Sequence, residues 1–236
     1  MLTIKKIKSF FKKGDKKIIW LCWFQGLEDE DMPELNRLCV DKWIELNPDC
    51  IVRVIDNDNI CNYVPEFFEI IEKSPPRDYT SRSELLRILL LSKFGGVWVD
   101  ASVMPLFPLS FFYDKIVNKT GFFAFRFSPR LKDVKGYREC ASWFICASHP
   151  NHYLINLWKI CYISRFMSRR KYKYFCFHDA LCFIYDNDEK SRSIIEDMVE
   201  ININKESRWV NAVNKREVDL ESKDFFMYKR PNIKKT

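Results

Sequence analysis

The chain has 236 residues, enough for one domain with a sizeable core, and its 47% apolar, 30% charged composition is that of a globular protein. The formal net charge is +7, but residues 1–17 hold seven lysines against one acid, so the remainder is close to neutral. A nucleic-acid-binding body would carry its basic excess on the fold rather than on a tail, so no nucleic-acid partner is expected. No apolar run approaches the ~20 residues that span a bilayer. The nine cysteines form no C-x-x-C pair, and reduced, mostly buried thiols in a cytoplasmic protein are expected.

Residues 2–13 place Leu2, Ile4, Ile7, Phe10 and Phe11 among lysines. The pattern fits an amphipathic helix on an anionic membrane surface, and equally a basic tail without structure. Residues 18–24 read as a buried strand. Residues 32–46 have helical spacing, with Pro33 in the first turn. A second strand at 50–55 completes a β-α-β unit, which argues for parallel strands with a right-handed crossover. After Pro75-Pro76, Ser81 and Glu84 have the spacing of a capping box. The helix that follows is apolar around most of its circumference, so it is buried. Gly95 suits the left-handed position after its end. Residues 97–99 form a short buried strand. Further strands are expected at 122–127 and 142–147, and helices at 151–166 and 174–185. His149 and His152 read as surface or capping residues. Beyond about residue 190 the pattern weakens. The organisation is a basic tail over 1–17 and a single domain over 18–236.

The chain has no G-x-G-x-x-G, P-loop, H-E-x-x-H or G-x-S-x-G motif, and only six glycines. A nucleotide diphosphate bound here would be neutralised by side chains or a metal instead of a glycine loop. Asp100 stands where the 97–99 strand ends, and open α/β sheets bind ligands beyond such ends. An acid there either faces a ligand or caps a turn. Glu84 and Arg87 share a helix face. They are either a capping acid with its ion-pair partner or a charged pair that a ligand uses.

Three segments carry a resemblance. Ile18-Ile19-Trp20-Leu21-Cys22-Trp23-Phe24-Gln25-Gly26 resembles the first strand of the capsular polysaccharide synthesis family. Arg82-Ser83-Glu84-Leu85-Leu86-Arg87 is similar to its S-D-x-x-R helix, and Gly95 to Ser102 is similar to its G-G-x-x-x-D-x-D strand. That family resembles the DXD-containing mannosyltransferases and, more distantly, the large clostridial glucosylating toxins. The resemblance implies an α/β glycosyltransferase of type-A fold, with a Rossmann-like, mostly parallel sheet flanked by helices. It implies a nucleotide-sugar donor, a glycan or lipid-linked glycan acceptor, and Mn²⁺ or Mg²⁺. Carried over, it puts Trp23 on the donor base, Glu84 on the donor, Arg87 on donor sugar and phosphates, and Asp100 on ribose or metal. The second DXD carboxylate is Ser102 here, a possible but uncharged ligand. His178 follows an aromatic stretch and is either a metal ligand, an acceptor contact, a base or a core residue. The expected function is a transferase building surface polysaccharide, peripheral at the inner face of the membrane. The alternative is an inactive sugar-nucleotide-binding partner.

Overall fold

The computed structural model describes residues 16–75, 77–127, 140–168, 174–203 and 227–229. Nearly all of the basic tail therefore lies outside the described residues. Lys17 already belongs to the folded body. Its carbonyl accepts from Ile51 N–H, and its ammonium lies 3.4 Å from Asp114 and over the Tyr113 ring.

The β-α-β unit is present as β1 (Ile18–Cys22), α1 (Glu34–Leu46) and β2 (Ile51–Ile55), with β1 and β2 parallel from Ile18↔Ile51 to Cys22↔Ile55. Two short helices, α2 (Ile60–Tyr63) and α3 (Glu66–Glu72), lead to α4 (Tyr79–Phe94) and β3 (Gly96–Val99). A short strand β4 (Val103–Pro105) and α5 (Leu109–Val117) precede β5 (Phe122–Phe127) and β6 (Cys140–Ala147). The chain continues through α6 (Tyr153–Phe166), α7 (Cys176–Asn187), α8 (Glu189–Asp197), β7 (Asn202–Ile203) and β8 (Met227–Lys229).

The main sheet has the order β2-β1-β3-β6-β5-β7, and β4 pairs with β8 in a separate ladder. β3 is parallel to β1, β6 is antiparallel to both β3 and β5, and β7 is parallel to β5. Only β6 of the six runs against the others. This is the mostly parallel, helix-flanked α/β sheet that the type-A resemblance implies.

Alternation along the strands divides the interior into two cores. Trp20, Trp98, Ile145 and Phe122 face α4, α6 and α7. Ile19, Leu21, Val97, Val99 and Phe144 face α1 and α5. β3 is buried on both faces, so its four residues read as one apolar run instead of an alternation. The buried indoles of Trp20, Trp43 and Trp158 each donate to a backbone carbonyl at 2.9 Å, so none carries an unmet polar group into the core.

Four expectations need correction. The cap of α4 is Asp78, not Ser81. Asp78 Oδ1 accepts from the Ser81 backbone N–H at 2.8 Å and from its hydroxyl at 2.6 Å. Aspartate caps as well as serine does, and it wins here by standing one turn earlier. Glu84 is thereby released from capping. Gly95 has the expected positive φ of 67°, but its ψ of −151° lies outside the left-handed helical well, in a region open essentially to glycine alone. A Cβ there would meet the His149 carbonyl carbon at 2.8 Å, and one on Gly96 would meet Ile18 O at 2.6 Å. The two glycines thus let β3 start close against its neighbours. His152 is not a surface residue, being only 3% exposed, and its side chain makes no cap bond to α6. The thiols also depart from expectation: all nine are free, but Cys61 is exposed and four others are half-buried.

His152 Nε2 lies 3.0 Å from Thr120 O, so it carries the proton and donates. Burial depresses this pKa from 6.5 to about 4. As pH falls, the unfolded chain therefore takes up the proton first. The stability contributed is whole above pH 6.5 and is lost between pH 6.5 and 4, amounting to about 3 kcal/mol. Thermal melts across that window should show the loss in the wild type and a shallower slope in His152→Gln. Equal slopes in the two proteins would show that His152 titrates normally in the fold.

Candidate functional site

β1, β2 and β3 are parallel neighbours, so their carboxyl ends share one edge of the sheet. That edge carries Asp56 after β2, Cys22 and Trp23 at β1, and Asp100 after β3. α4 ends at Gly95, where β3 begins, so its first turns lie back at the same edge. A helix of this length, about 24 Å at 1.5 Å per residue, spans the sheet from edge to edge. Glu84 and Arg87 arrive at the strand ends for that reason.

Arg87 and Asp100 form the centre. Arg87 Nη2 donates to Asp100 Oδ1 at 2.9 Å, and the indole of Trp98 donates to the same oxygen at 2.9 Å. The Arg87 side chain is 4% exposed and that of Asp100 is 25% exposed. The guanidinium lies against two rings, 4.9 Å from the centroid of Trp98 and 5.5 Å from that of Phe177. Its Nε and Nη1 have no hydrogen-bond partner among the described residues. A buried cation with unmet donors is costly, and such a group calls for an anionic or carbonyl ligand.

The backbone fixes Asp100 from two sides. Its N–H donates to Trp143 O at 2.9 Å, and its carbonyl accepts from Val103 N–H at 3.0 Å. The second bond closes a turn that holds Ala101 and half-buried Ser102. Asp100 and Ser102 therefore stand on one turn at the end of β3.

Glu84 is buried one helical turn before Arg87. The Tyr162 hydroxyl on α6 lies 3.2 Å from Glu84 Oε2 and 3.0 Å from Ser81 O. The reading of Glu84 as capping acid with Arg87 as its partner is thus replaced. Asp78 caps, Arg87 reaches Asp100, and Glu84 shares the single Tyr162 hydroxyl proton of α6 with Ser81 O.

Trp23 lies at the site edge but points to the other sheet face. It packs half-buried against the α1/α5 core, and its indole donates to Asp29 Oδ2 at 2.9 Å. Phe24 turns to the α4 side, where its ring meets Phe67 and Tyr79. Tyr79 is 56% exposed, an aromatic surface at the rim that sequence reasoning passed over. Its signal was its place directly after Asp78, legible only once that cap is recognised. Cys22 was also passed over. Burial, then the charge of Asp100, pushes its thiol well above the usual range, against the lowering effect of Arg87.

His178 sits in the first turn of α7, buried beside the rings of Phe175 and Phe177. It is Phe177, one residue earlier, that lies on Arg87. Among the described residues, no three His, Cys, Asp or Glu side chains converge as a metal cluster. Asp100 and Ser102 supply one carboxylate and one hydroxyl. That donor set fits a hard cation that brings phosphate oxygens of its own, and does not form a cage of protein ligands.

The family described as capsular polysaccharide synthesis protein matches residues 2–235. Glycosyltransferase afumC of Aspergillus fumigatus is 28% identical over 102 residues, covering 39% of this chain. The match covers 26% of that relative, so the chain spans about a quarter of its length. Among solved structures, the PaToxG glycosyltransferase has a TM-score of 0.47 at 15% identity, over 75% of this chain and 73% of that one. An active-site mutant of LgtC has a TM-score of 0.42 at 12% identity, over 92% and 88%.

The Tyr162 hydroxyl is fully buried, and so is the carboxylate it meets. Tyr162→Phe should lower stability by about 1–3 kcal/mol, because Ser81 O and Glu84, both buried, lose the donor they share. Denaturant unfolding measures this. An unchanged midpoint would show that the hydroxyl holds neither Ser81 O nor Glu84.

Proposed function

The chain belongs to the capsular polysaccharide synthesis family, and we propose that it is a glycosyltransferase. It moves a sugar from a nucleotide-sugar donor to a glycan or lipid-linked glycan acceptor, with retention at the anomeric carbon. The observation that carries this reading is the buried Arg87 guanidinium, fastened to Asp100 at the strand ends and holding two unmet donors.

In this reading the donor lies across the carboxyl edge of β1 and β3. Trp23 stacks on the base, Glu84 meets the donor sugar, and Arg87 faces the diphosphate. As the glycosidic bond breaks, negative charge grows on the departing diphosphate. Arg87 meets that charge with a fixed, desolvated cation, which is worth most where water is excluded. Asp100 holds Arg87 in place and contacts ribose or cation. A divalent cation, Mn²⁺ or Mg²⁺, held at Asp100 and Ser102 would supply further neutralisation of the same diphosphate when bound. The charge supplied by Ser102 is nil, and this favours a second reading, a sugar-nucleotide-binding partner without turnover. Nucleotide-sugar binding with no donor hydrolysis in Mn²⁺ would select that reading.

Asp100→Asn is the cleaner probe of the site. Asp100→Ala would strand the buried Arg87 charge, which costs about 3–5 kcal/mol, whereas asparagine still offers an oxygen to Arg87 and Trp98. Donor hydrolysis by Asp100→Asn should fall on the order of 10²–10³-fold with the fold retained. Near-normal turnover in a folded protein would remove Asp100 from the site.

We place the protein in the cytoplasm, peripheral at the inner face of the membrane, with residues 1–17 on the anionic surface. Among the described residues, no helix is long and apolar enough to cross a membrane. Each lysine near an anionic leaflet is worth about 1 kcal/mol. Deleting residues 1–15 should release the protein from anionic vesicles while donor hydrolysis stays unchanged. Co-sedimentation that survives the deletion would put the anchor elsewhere.

A further inference from the structure

The carboxylate that would receive a cation is already neutralised. Asp100 Oδ1 accepts from Arg87 Nη2 and from the Trp98 indole, both at 2.9 Å. The second position of the motif is Ser102, which adds no charge. Arg87 lies against the rings of Trp98 and Phe177, so the pair is held in place by packing as well as by charge. A divalent cation approaching alone therefore meets, at Asp100, an ion pair of nearly zero net charge with a guanidinium beside its ligand. Hard cations bind through carboxylate charge and phosphate oxygens, and this site offers little of the first and none of the second.

A nucleoside diphosphate changes both conditions at once. It brings phosphate oxygens to the cation. It also offers an anion to Arg87 Nε and Nη1, the two donors that have no partner among the described residues. We propose that Arg87 is a charge latch that makes cation binding at Asp100 contingent on the nucleoside diphosphate, so that the two enter as a coupled pair. This rests on the donor-site reading above. Arg87 shares its charge with Asp100 in the empty site and gives it to the diphosphate in the filled one. The carboxylate charge then becomes available to the cation. By linkage the cation raises nucleotide affinity by the same factor that the nucleotide raises cation affinity. The latch keeps the site closed to free cations until the donor is present.

The test is a Mn²⁺ titration of the full chain, read by loss of the free-Mn²⁺ paramagnetic resonance signal. It is run without nucleotide and then with UDP and with GDP separately. Asp100→Asn gives the background, including Mn²⁺ held by nucleotide in solution. Wild type should bind Mn²⁺ at least tenfold more tightly with the matching nucleotide than without it. Arg87→Gln should gain at least tenfold in nucleotide-free Mn²⁺ affinity and lose most of the coupling, the opposite of what a merely structural arginine would do. Ser102→Asp leaves Arg87 untouched and adds the missing charge. It too should bind Mn²⁺ without nucleotide, which keeps the test alive if Arg87→Gln does not fold. Equal Mn²⁺ affinity with and without nucleotide in wild type would overturn the latch, as would a folded Arg87→Gln that gains nothing. Failure of every nucleotide to bind, at any Mn²⁺ concentration, would instead overturn the donor-site reading and the latch with it.

Discussion

A buried guanidinium must be paired, and in this protein the partner is the one carboxylate at the end of β3. Arg87 is about two turns into the most buried of the described helices, and Asp100 stands on the turn that ends a strand buried on both faces. Removing either group would leave the other's charge in a poorly solvated place, which proteins tolerate badly. The pair therefore fixes the register of α4 on the sheet. The rest of the site inherits its positions from that register: Glu84 one turn back under the Tyr162 hydroxyl, Tyr79 at the rim, and Trp98 beneath the guanidinium.

The close passage from α4 into β3 makes this register attainable. Gly95 and Gly96 both take positive φ, and a side chain on either would collide with the backbone of a neighbouring segment. The Trp20 indole ties the Gly95 carbonyl to β1 at 2.9 Å. The helix thus reverses into the strand within two residues, and two residues 13 apart in sequence, Arg87 and Asp100, are brought back into one ion pair. A looser connection would let α4 slide along the sheet, and the ion pair would be lost first.

Much of this was legible in the sequence where local chemistry decides local structure. The β1-α1-β2 unit, the leucine-rich helix, the glycine pair and the acid after Val99 each carry their own signal. What stayed hidden depends on contacts between distant segments. The antiparallel direction of β6 is set by its pairing with β3 and β5, and nothing in its eight residues states a direction. Asp78 and Ser81 are both good caps, and the capping-box spacing of Ser81 with Glu84 put the start of α4 one turn too late. α8 was missed although Asp188 caps it through Ser191 N–H, in the same D-x-x-S spacing as α4, because its exposed sequence has little apolar pattern. The burial of His152 arises from Phe122 and Thr120, some thirty residues away. In the site, Arg87 reaches Asp100 at the strand end, and Glu84 lies one turn back on the same helix. The Tyr162 bond to Glu84 and the Phe177 ring over Arg87 come from α6 and α7 and had no local trace.

The central claim is that Arg87 and Asp100 form the place where a nucleotide diphosphate sits. A crystal structure of the full chain grown with a nucleoside diphosphate and Mn²⁺ tests it most directly, with anomalous diffraction locating the metal. The account predicts diphosphate oxygens within hydrogen-bonding distance of Arg87 Nε or Nη1, and Mn²⁺ between Asp100 and those oxygens. A nucleotide bound away from the carboxyl edge of β1 and β3, with the Arg87–Asp100 pair unchanged at 2.9 Å, would contradict it.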